Sequence, residues 1–321
     1  MLICDHMTLI VLTNNRVLVA CKVPKGSLEL LKKSGLEPIL AEDAIPAKLN
    51  DFNAILIRSN IKADSSFLAR LKPGSLVIRL GAGLDNVDVA TAEKLGLKVF
   101  NTPGSSATSV AEHIIGLMLA LARNIPACSH RVKSGVWPKA ECVGVELCGK
   151  TLGIVGYGCT GSELAKHARA LDMKVIAYDK YKRVDSNAEG TSYEKLLATS
   201  DFISYNVPLT QETKDMFNVE NLAILKRGAR IINASRGEVV SVEALLKGLH
   251  DGIVAGAALD VLPHEPPLTD SEKALLLDPR VIVTPHVAGS TEEAETRAVA
   301  MACDIIKREL LTRDEPKTLN S

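Results

Sequence analysis

The sequence predicts an α/β protein of two domains, one Rossmann-like and one flavodoxin-like, each built on a parallel sheet, with a cleft between them. Two observations support this fold class. The chain has 321 residues, which exceeds the usual size of a single domain. Short runs rich in β-branched residues alternate with helix-like stretches almost throughout, as expected when helices cover parallel sheets.

The first block of this pattern is expected to be the flavodoxin-like domain. Helical stretches such as Ser27–Lys33 separate its apolar runs. The predicted strands are Arg16–Ala20, Glu37–Leu40, Ala54–Arg58, Leu76–Leu80 and Leu97–Asn101.

A long apolar-rich stretch follows the first block, from Ala107 to about Val132. Thr108, Ser109 and Glu112 stand near its beginning, which is typical of a capped helix. We therefore predict one long helix that crosses between the domains.

The second block resembles a complete dinucleotide-binding fold, because six candidate strands alternate with helices. The strands are Thr151–Val155, Lys174–Tyr178, Phe202–Val207, Arg230–Asn233, Ala257–Val261 and Val281–Thr284. A last amphipathic helix, roughly Glu292 to Leu311, is expected to return and pack on the first block. The predicted domains are thus residues 1–106 plus 288–321, for substrate, and residues 107–287, for the cofactor.

Charge and hydropathy exclude several classes of partner. Lys+Arg and Asp+Glu both number 38, so no net field attracts nucleic acid or an anionic membrane surface. The longest apolar run, His113 to Ala122, is too short to span a bilayer. The first residues lack the basic start of a signal peptide, and we expect a cytosolic protein.

The cysteines are expected to be reduced and to bind no structural metal. Their number is odd and their spacing matches neither C-x-x-C nor a zinc finger. They are Cys4, Cys21, Cys128, Cys142, Cys148, Cys159 and Cys303.

A glycine-rich motif connects the first strand of the second block to a helix. The segment Thr151–Gly161 is a hydrophobic strand that continues into G-x-G-x-x-G. Gly156 permits the tight turn, Gly158 lets the backbone approach a pyrophosphate, and Gly161 lets the helix pack closely on the strand. This context predicts a dinucleotide site.

Asp179 ends the next predicted strand, about 20 residues beyond the glycines. A carboxylate there accepts hydrogen bonds from the adenosine ribose hydroxyls and repels a 2′-phosphate, which favours NAD over NADP. The basic run Lys180, Lys182 and Arg183 leaves NADP open as an alternative.

Several later segments place catalytic-type side chains at the ends of predicted strands, where open α/β sheets bind ligands. Together with two segments of the first block, they resemble the D-2-hydroxyacid dehydrogenase family from about Leu18 to Leu310. The segments are Arg79–Asp88, Asn101–Pro103, Asn233–Gly237, Leu259–Pro266 and Thr284–His286.

The resemblance implies an enzyme that moves a hydride between NAD and the 2-position of a small hydroxy or keto acid. Such a reaction needs a group beside the substrate oxygen that exchanges a proton near neutrality, and His286 is the candidate. By resemblance Glu265 pairs with it, and Arg236 binds the substrate carboxylate. Taken singly, the histidine could be a surface or capping residue, and the other two ordinary surface charges.

The same resemblance assigns further contacts. The backbone N–H groups of Ala82 and Gly83 would bind the substrate carboxylate. The cofactor residues would be Cys159 and Thr160 at the pyrophosphate, Val207 and Pro208 at the adenosine, and Ala234, Asp260, His286 and Gly289 towards the nicotinamide. Cys159, Thr160 and Asn206 depart from the residues usual in the family, which bears on cofactor affinity.

Arg58, Ser59 and Arg79 resemble substrate-side residues of 3-phosphoglycerate dehydrogenases, and two arginines near the carboxylate loop would suit a phosphate. Lys139 is a weaker candidate for a third charge. The expected reaction is then 3-phosphoglycerate to 3-phosphohydroxypyruvate, in serine biosynthesis, by a short form without a regulatory domain. Alternatively, Arg58 simply pairs with a surface acid, and the chain is a glyoxylate or hydroxypyruvate reductase.

A hypothesis from another class is an NAD-sensing scaffold resembling the C-terminal binding protein corepressors, which keep similar site residues. A panel of keto acids with NADH would discriminate the two classes. A homodimer formed through the helix from Ala107 to Val132 is also expected, because the apolar surface of that helix exceeds what one crossing needs.

Overall fold

The computed structural model describes residues 15–41 and 44–311. Cys4 and the first residues lie outside this described part of the chain. The chain forms two compact units: Met1–Ser105 with Glu292–Ser321, and Ser106–Thr291. We call them the first and the second unit.

The first unit is built on a five-stranded parallel sheet. Its strands lie in the order β2-β1-β3-β4-β5, which is the flavodoxin-like order. The strands are β1 (Arg16–Val19), β2 (Glu37–Leu40), β3 (Ala54–Ile57), β4 (Leu76–Arg79) and β5 (Lys98–Asn101).

Helices cover both faces of this sheet. On one face, apolar side chains of α1 (Ser27–Lys33) and of the last helix, α10 (Glu292–Leu311), pack on Val17, Val19 and Leu56. On the other face lie α2 (Ser65–Leu68) and α3 (Val89–Lys94). The predicted return of the last helix to the first block is confirmed.

The second unit contains seven parallel strands in the order β12-β11-β10-β9-β6-β7-β8. The order reverses between β6 and β9, as in the doubly wound dinucleotide-binding folds. The strands are β6 (Thr151–Val155), β7 (Lys174–Tyr178), β8 (Glu189–Gly190), β9 (Phe202–Tyr205), β10 (Ala229–Asn233), β11 (Val254–Leu259) and β12 (Val281–Val283). Sequence analysis predicted six of these, because β8 is too short to produce a hydrophobic pattern.

Helices of the second unit also pack on both faces of its sheet. One face carries α4 (Ala107–Ala122) and α6 (Cys159–Ala170), and the other carries α7 (Tyr193–Thr199), α8 (Val242–His250) and α9 (Asp270–Leu277). A further helix, α5 (Ile125–Lys133), has no buried residue. No helix among the described residues is long and apolar enough to cross a membrane.

The prediction of one helix from Ala107 to Val132 is wrong. The chain breaks between α4 and α5, where Asn124 adopts a left-handed conformation with φ 53°. Pro126 follows two residues later, and a proline cannot donate the N–H that a continuous helix requires there. The Asn-x-Pro pattern indicates the end of α4, but the apolar residues on both sides of it suggested a continuous helix.

The expectation that all cysteines are reduced is also wrong. Cys128 in α5 and Cys142 form a disulfide, with their Cα atoms 6.0 Å apart. The chain leaves α5 at Ser134 and then turns back towards the same helix, which brings Cys142 next to Cys128. The spacing of these two cysteines matches no motif that sequence analysis considered. Cys21 and Cys303 are buried thiols, and Cys148 and Cys159 are exposed thiols.

Candidate active site

The glycine-rich turn joins β6 to α6 and is shaped by close approaches of backbone. Gly156 has φ 91°, and a Cβ on it would lie 2.7 Å from the carbonyl oxygen of Asn206. A Cβ on Gly161 would collide with the carbonyl oxygen of Gly156. A Cβ on Gly158 would meet nothing within 4 Å. The turn therefore fits a pyrophosphate, because Gly158 borders open space beside the helix N-terminus.

Cys159 and Thr160 are the first two residues of α6, and the Cys159 side chain is exposed. Val207 and Pro208 follow β9, the strand next to β6, and a Cβ on Gly156 would lie 2.8 Å from the Val207 side chain. The predicted pyrophosphate and adenosine residues thus lie together at the carboxyl ends of neighbouring strands. Asn206 uses its side-chain amide locally, donating to the carbonyl of Ser204 at 3.1 Å.

Asp179 lies directly after β7 and is fixed by backbone donors. Its Oδ2 accepts from the N–H of Tyr157 at 2.7 Å, and its Oδ1 accepts from those of Tyr181 and Lys182 at 2.8 Å each. Burial raises the pKa of Asp179, but these donors outweigh it and hold the pKa below its usual value. A charged carboxylate therefore stands beside the glycine-rich turn.

The basic run after Asp179 is partly neutralised. The Nζ of Lys180 donates to both carboxylate oxygens of Glu212 at 2.8 Å, and the Tyr181 hydroxyl donates to the same carboxylate at 2.9 Å. Glu212 thus places a second negative charge beside Lys180, the first residue of the basic run that could bind a 2′-phosphate.

His286 and Glu265 form a direct pair in the second unit. The Nδ1 of His286 lies 2.8 Å from Oε2 of Glu265, and the two side chains are 47% and 42% exposed. The Oε1 of Glu265 accepts from the N–H of Leu262 at 3.3 Å. Because Nδ1 faces the carboxylate, Nε2 is the ring nitrogen available to another molecule.

Asp260 holds the segment that carries His286. Its carboxylate accepts from the Thr284 hydroxyl at 2.5 Å and from the N–H groups of Val287 and Ala288 at 3.0 and 2.8 Å. Its carbonyl accepts from the N–H of His286 at 2.8 Å. His286 has φ 54°, a left-handed conformation that side chains disfavour, and these four bonds maintain it.

The side chain of Asp260 is buried, with 1% of the residue exposed. Burial raises its pKa, but hydrogen bonds from His113, Thr284 and the backbone lower it below the usual value. The carboxylate is therefore charged although it is buried. Sequence analysis assigned Asp260 to the nicotinamide and did not foresee its bonds to the His286 segment.

Arg236 lies in the loop after β10, close to the loop of Glu265. The side chain of Asn233 donates to the Arg236 carbonyl at 2.8 Å and fixes the turn. At the next residue, a Cβ on Gly237 would collide with the backbone of Leu262 and Pro263. The two loops therefore touch at Gly237. Sequence analysis included this glycine in the Asn233–Gly237 segment but did not predict the contact.

Ala234 and Asp260 follow neighbouring strands, since Asn233 in β10 pairs with Leu259 in β11. Ala234 is partly buried against the core. A Cβ on Gly289 would lie 3.3 Å from the side chain of Ser106. Of the residues predicted by resemblance to contact the nicotinamide, Ala234 and Asp260 thus lie at the same edge of the sheet. Gly289 lies in the segment that follows His286.

In the first unit, Arg79 and the loop that follows it form a separate cluster. The Arg79 guanidinium occupies the space that a Cβ on Gly81 would need. The Gly81 N–H donates to the Thr102 hydroxyl at 2.7 Å, and the Asn101 side chain donates to the Ala82 carbonyl at 2.5 Å. Among residues 15–41 and 44–311, no acceptor is bonded to the N–H groups of Ala82 and Gly83.

Arg58 pairs with Glu295, the carboxylate of α10 nearest to it, and the two side chains are 27% and 25% exposed. The side-chain amide of Asn86 donates a hydrogen bond to the backbone carbonyl of Arg58 at 2.9 Å. Ser59 is the exposed residue that follows. The pairing of Arg58 with an acid, which sequence analysis considered as an alternative, is present, and a phosphate there would compete with Glu295.

Comparison with known proteins agrees with this arrangement. Residues 115–288, more than half of the chain, match the family model of the D-isomer specific 2-hydroxyacid dehydrogenase, NAD binding domain. The chain belongs to this family. The D-2-hydroxyacid dehydrogenases are oxidoreductases that act on a CH–OH group, so the assignment favours the enzyme over the scaffold, and the cofactor is NAD.

Individual relatives differ in substrate and in length. A hydroxypyruvate reductase of Thermotoga maritima is 40% identical over 88% of this chain and 93% of its own. A D-3-phosphoglycerate dehydrogenase of Bacillus subtilis is 39% identical over 90% of this chain, which spans only 56% of that protein. A crystal structure of D-lactate dehydrogenase from Aquifex aeolicus with NAD and lactic acid superposes with a TM-score of 0.77, at 29% identity over 93% of this chain and 96% of that one.

The glycine-rich turn fits the NAD of this family. Gly158 leaves open space at the start of α6, Asp179 is ionised beside the turn, and the Val207 side chain borders it. In a D-2-hydroxyacid dehydrogenase these groups would hold the pyrophosphate, the ribose and the adenosine, respectively. The two positions that depart from the family's usual residues, Cys159 and Thr160, lie on the helix N-terminus, where backbone N–H groups rather than side chains bind phosphates.

Proposed function

We propose that this D-2-hydroxyacid dehydrogenase interconverts a three-carbon D-2-hydroxy acid and its keto acid, with D-3-phosphoglycerate as the first candidate substrate. The observation that carries the chemistry is the 2.8 Å contact between His286 Nδ1 and Glu265 Oε2. Because Nδ1 is engaged by Glu265, the other ring nitrogen, Nε2, is left for a partner outside the protein.

His286 is the acid and base of this reaction. Bound NAD would supply the hydride acceptor for oxidation and, in its reduced form, the hydride donor for reduction. In reduction, Nε2–H donates its proton to the carbonyl oxygen; in oxidation, Nε2 takes the hydroxyl proton. Glu265 accepts the Nδ1–H bond, fixes the tautomer and stabilises the positive charge on the ring, as the carboxylate of a catalytic triad does.

Arg236 of the second unit is the side chain proposed to bind the carboxylate. Its guanidinium offers two parallel N–H donors, which match a carboxylate. In the first unit, the loop that contains Ala82 and Gly83 offers unbonded N–H groups that can donate to an anion, as backbone groups do in anion sites. Arg79 lies over the beginning of that loop and adds positive charge to it.

The phosphate of 3-phosphoglycerate is the reason to place this substrate first. Arg79 ends β4, and Arg58 directly follows Ile57, the last residue of the neighbouring strand β3, so both arginines lie at the carboxyl edge of the sheet. Two cations on adjacent strands suit a phosphate group. The similarity to the Bacillus subtilis dehydrogenase supports the proposal, which would place the reaction in serine biosynthesis.

Hydroxypyruvate is the second candidate, and two observations favour it. Arg58 already pairs with Glu295, so a phosphate must compete with a carboxylate. The Thermotoga maritima reductase matches this chain over 93% of its own length. Glyoxylate, the smaller keto acid, needs neither arginine.

The deciding experiment compares 3-phosphohydroxypyruvate with hydroxypyruvate, using NADH, in the wild type and in two matched variants. If Arg58 binds the phosphate, Arg58→Ala raises KM for the phosphorylated acid about 10- to 100-fold, since a charged hydrogen bond contributes about 1.5–3 kcal/mol. Glu295→Gln removes the competing carboxylate and lowers the same KM. Equal effects of either variant on both acids would refute the phosphate assignment.

The role of His286 is tested separately. His286→Ala is expected to reduce turnover about 10²- to 10⁴-fold, the contribution of a general acid or base. The affinity for NADH, measured by fluorescence titration, should change little. Unchanged turnover would remove His286 from the chemistry.

A homodimer is also part of this proposal, with its surface on the second part of the Ala107–Val132 stretch and the segment after it. Most apolar residues of α4 are buried against α6, β10 and β11, although Leu119 is 38% exposed. More exposed apolar residues lie on α5 and the segment after it: Ile125, Val132, Val136, Trp137 and Val143, of which Trp137 is 80% exposed. A second copy of the chain would cover them. Trp137→Ser should shift the sedimentation coefficient towards a monomer, and an unchanged coefficient would reject this surface.

A further inference from the structure

The loop that carries Glu265 is held by a buried carboxylate from outside the loop. Glu272 lies in the first turn of α9 and is 1% exposed. It forms a capping box with Thr269, whose hydroxyl accepts from the Glu272 N–H at 3.1 Å. A capping box requires no other partner, yet this carboxylate has several.

The additional partners lie on both sides of Glu265. On the far side, Glu272 Oε2 accepts from the N–H of Leu268 at 3.0 Å, beside the capping-box bond from the N–H of Thr269 at 2.9 Å. On the near side, Oε1 accepts from the N–H of His264 at 3.0 Å, and the Nδ1 of His264 lies 3.0 Å from the same oxygen. One carboxylate thus joins residues before and after Glu265.

The charge on Glu272 is permanent under working conditions. Burial raises its pKa, but the N–H groups of Thr269 and Leu268 and the side chain of His264 outweigh burial and lower the pKa to about 2. The four donors named above therefore meet a full negative charge at any pH near neutrality, and charged hydrogen bonds are the stronger kind.

Glu265 itself depends on the path of its loop. Its Oε1 accepts from the Leu262 N–H at 3.3 Å, a long hydrogen bond, while its Oε2 faces His286. The side chain is 42% exposed, so packing contributes little to its position. The backbone of the loop determines where the carboxylate meets the imidazole.

We propose that Glu272 is a positioning residue: it fixes the backbone on both sides of Glu265 so that Oε2 faces Nδ1 of His286. This inference rests on the proposed roles of Glu265 and His286. Glu272 touches neither substrate nor cofactor in this role and acts only through Glu265. Its loss should therefore reproduce part of the effect of losing the Glu265 charge.

The test is a double-mutant cycle on kcat and KM for hydroxypyruvate, with NADH, in four proteins: wild type, Glu265→Gln, Glu272→Gln and the double variant. Glu265→Gln is expected to lower kcat, because an uncharged amide no longer stabilises the charged imidazole in the transition state. Glu272→Gln should lower kcat by a smaller factor with little change in KM, and the double variant should match Glu265→Gln.

A purely structural role of Glu272 predicts a different result. Ser192→Ala is the matched control, because it removes another helix cap of the same unit, the bond from the Lys195 N–H to the Ser192 hydroxyl. Its kcat should equal that of the wild type. If Glu272→Gln also leaves kcat unchanged, or if the double variant loses more kcat than Glu265→Gln does, the inference is overturned.

Failure of the underlying function has its own signature. If Glu265→Gln does not lower kcat, the proposed pairing with His286 is wrong, whatever Glu272 does. If Glu272→Gln does not fold, His264→Ala provides the same test, because it removes one side-chain partner of Glu272 and keeps the buried carboxylate. A lower kcat at unchanged KM supports the inference, and an unchanged kcat overturns it.

Discussion

Gly237→Ala tests whether the loops of Arg236 and Glu265 must touch. A Cβ at this position would lie within 3.0 Å of the carbonyl group of Leu262 and the nitrogen of Pro263, and ordinary contact begins only at 3.4 Å. Both neighbours are backbone, so no side chain can rotate away. We expect the two loops to separate by about 1 Å, because a packed interior transmits such strain rather than absorbing it.

The magnitude follows from that displacement. Misplacement of catalytic groups by about 1 Å can reduce turnover about 10²-fold. Overpacking costs about 1–3 kcal/mol in stability, which corresponds to a Tm lower by about 2–12 °C for a unit of this size. The assays are steady-state kinetics with hydroxypyruvate and NADH at 25 °C and a thermal melt of the same preparation.

The control is Gly116→Ala in α4, where a Cβ would meet nothing within 4 Å. An alanine inside a helix stabilises it by about 0.5–1 kcal/mol relative to glycine, so this variant should melt at or above the wild-type temperature with normal kcat/KM. If Gly237→Ala also keeps kcat/KM within twofold of the wild type, the contact between the loops does not position the catalytic groups.

Three further predictions concern other parts of the second unit. Glu212→Gln should raise kcat/KM for NADPH relative to NADH several-fold, because it releases Lys180 towards a 2′-phosphate; a constant ratio would contradict this. Replacing both Cys128 and Cys142 by serine should remove about 3 kcal/mol, the value for a loop of about 15 residues. Melts with and without a reductant should differ for the wild type and coincide for that variant. The folded-state pKa of Glu272, about 2, lies below its ordinary value of 4.5, so its contribution to stability is complete above pH 4.5 and is lost as the pH falls towards 2. Acid unfolding of Glu272→Gln should lack this component when followed by circular dichroism.

Most of the fold was predictable because parallel strands buried on both faces are nearly continuous apolar runs. Ala54–Ile57, which has four buried residues in succession, is of this kind. The failures occurred where local chemistry differs from the apolar pattern. The strand β8 has two exposed residues, and the break between α4 and α5 depends on Asn124 and Pro126 rather than on any loss of hydrophobicity.

The candidate site was predictable where one residue type has a single geometric use. At Gly156 and Gly161 another backbone segment approaches so closely that a side chain would collide with it. The spacing of the glycines in the motif therefore reveals these two contacts. The buried carboxylate of Asp260 was different, because its role arises from donors at a distance along the chain. Asp260 bonds residues 27 and 28 positions away, which no local pattern records. Glu272 bonds residues only three to eight positions away, and its capping box with Thr269 is a local pattern that sequence analysis did not use.

The first unit is assembled from both ends of the chain, and this has a consequence for synthesis on the ribosome. Its sheet is made early, but Val299, Ala302 and Ile306 of α10, which cover one face, emerge only after the 186 residues from Ser106 to Thr291. At ordinary rates of translation this delay is about 10–40 s. The second unit is continuous and can fold during that time. A nascent chain therefore carries an apolar sheet face that α1 alone covers in part until α10 is released. This makes that face a substrate for chaperones and the point at which a stalled ribosome would cause aggregation.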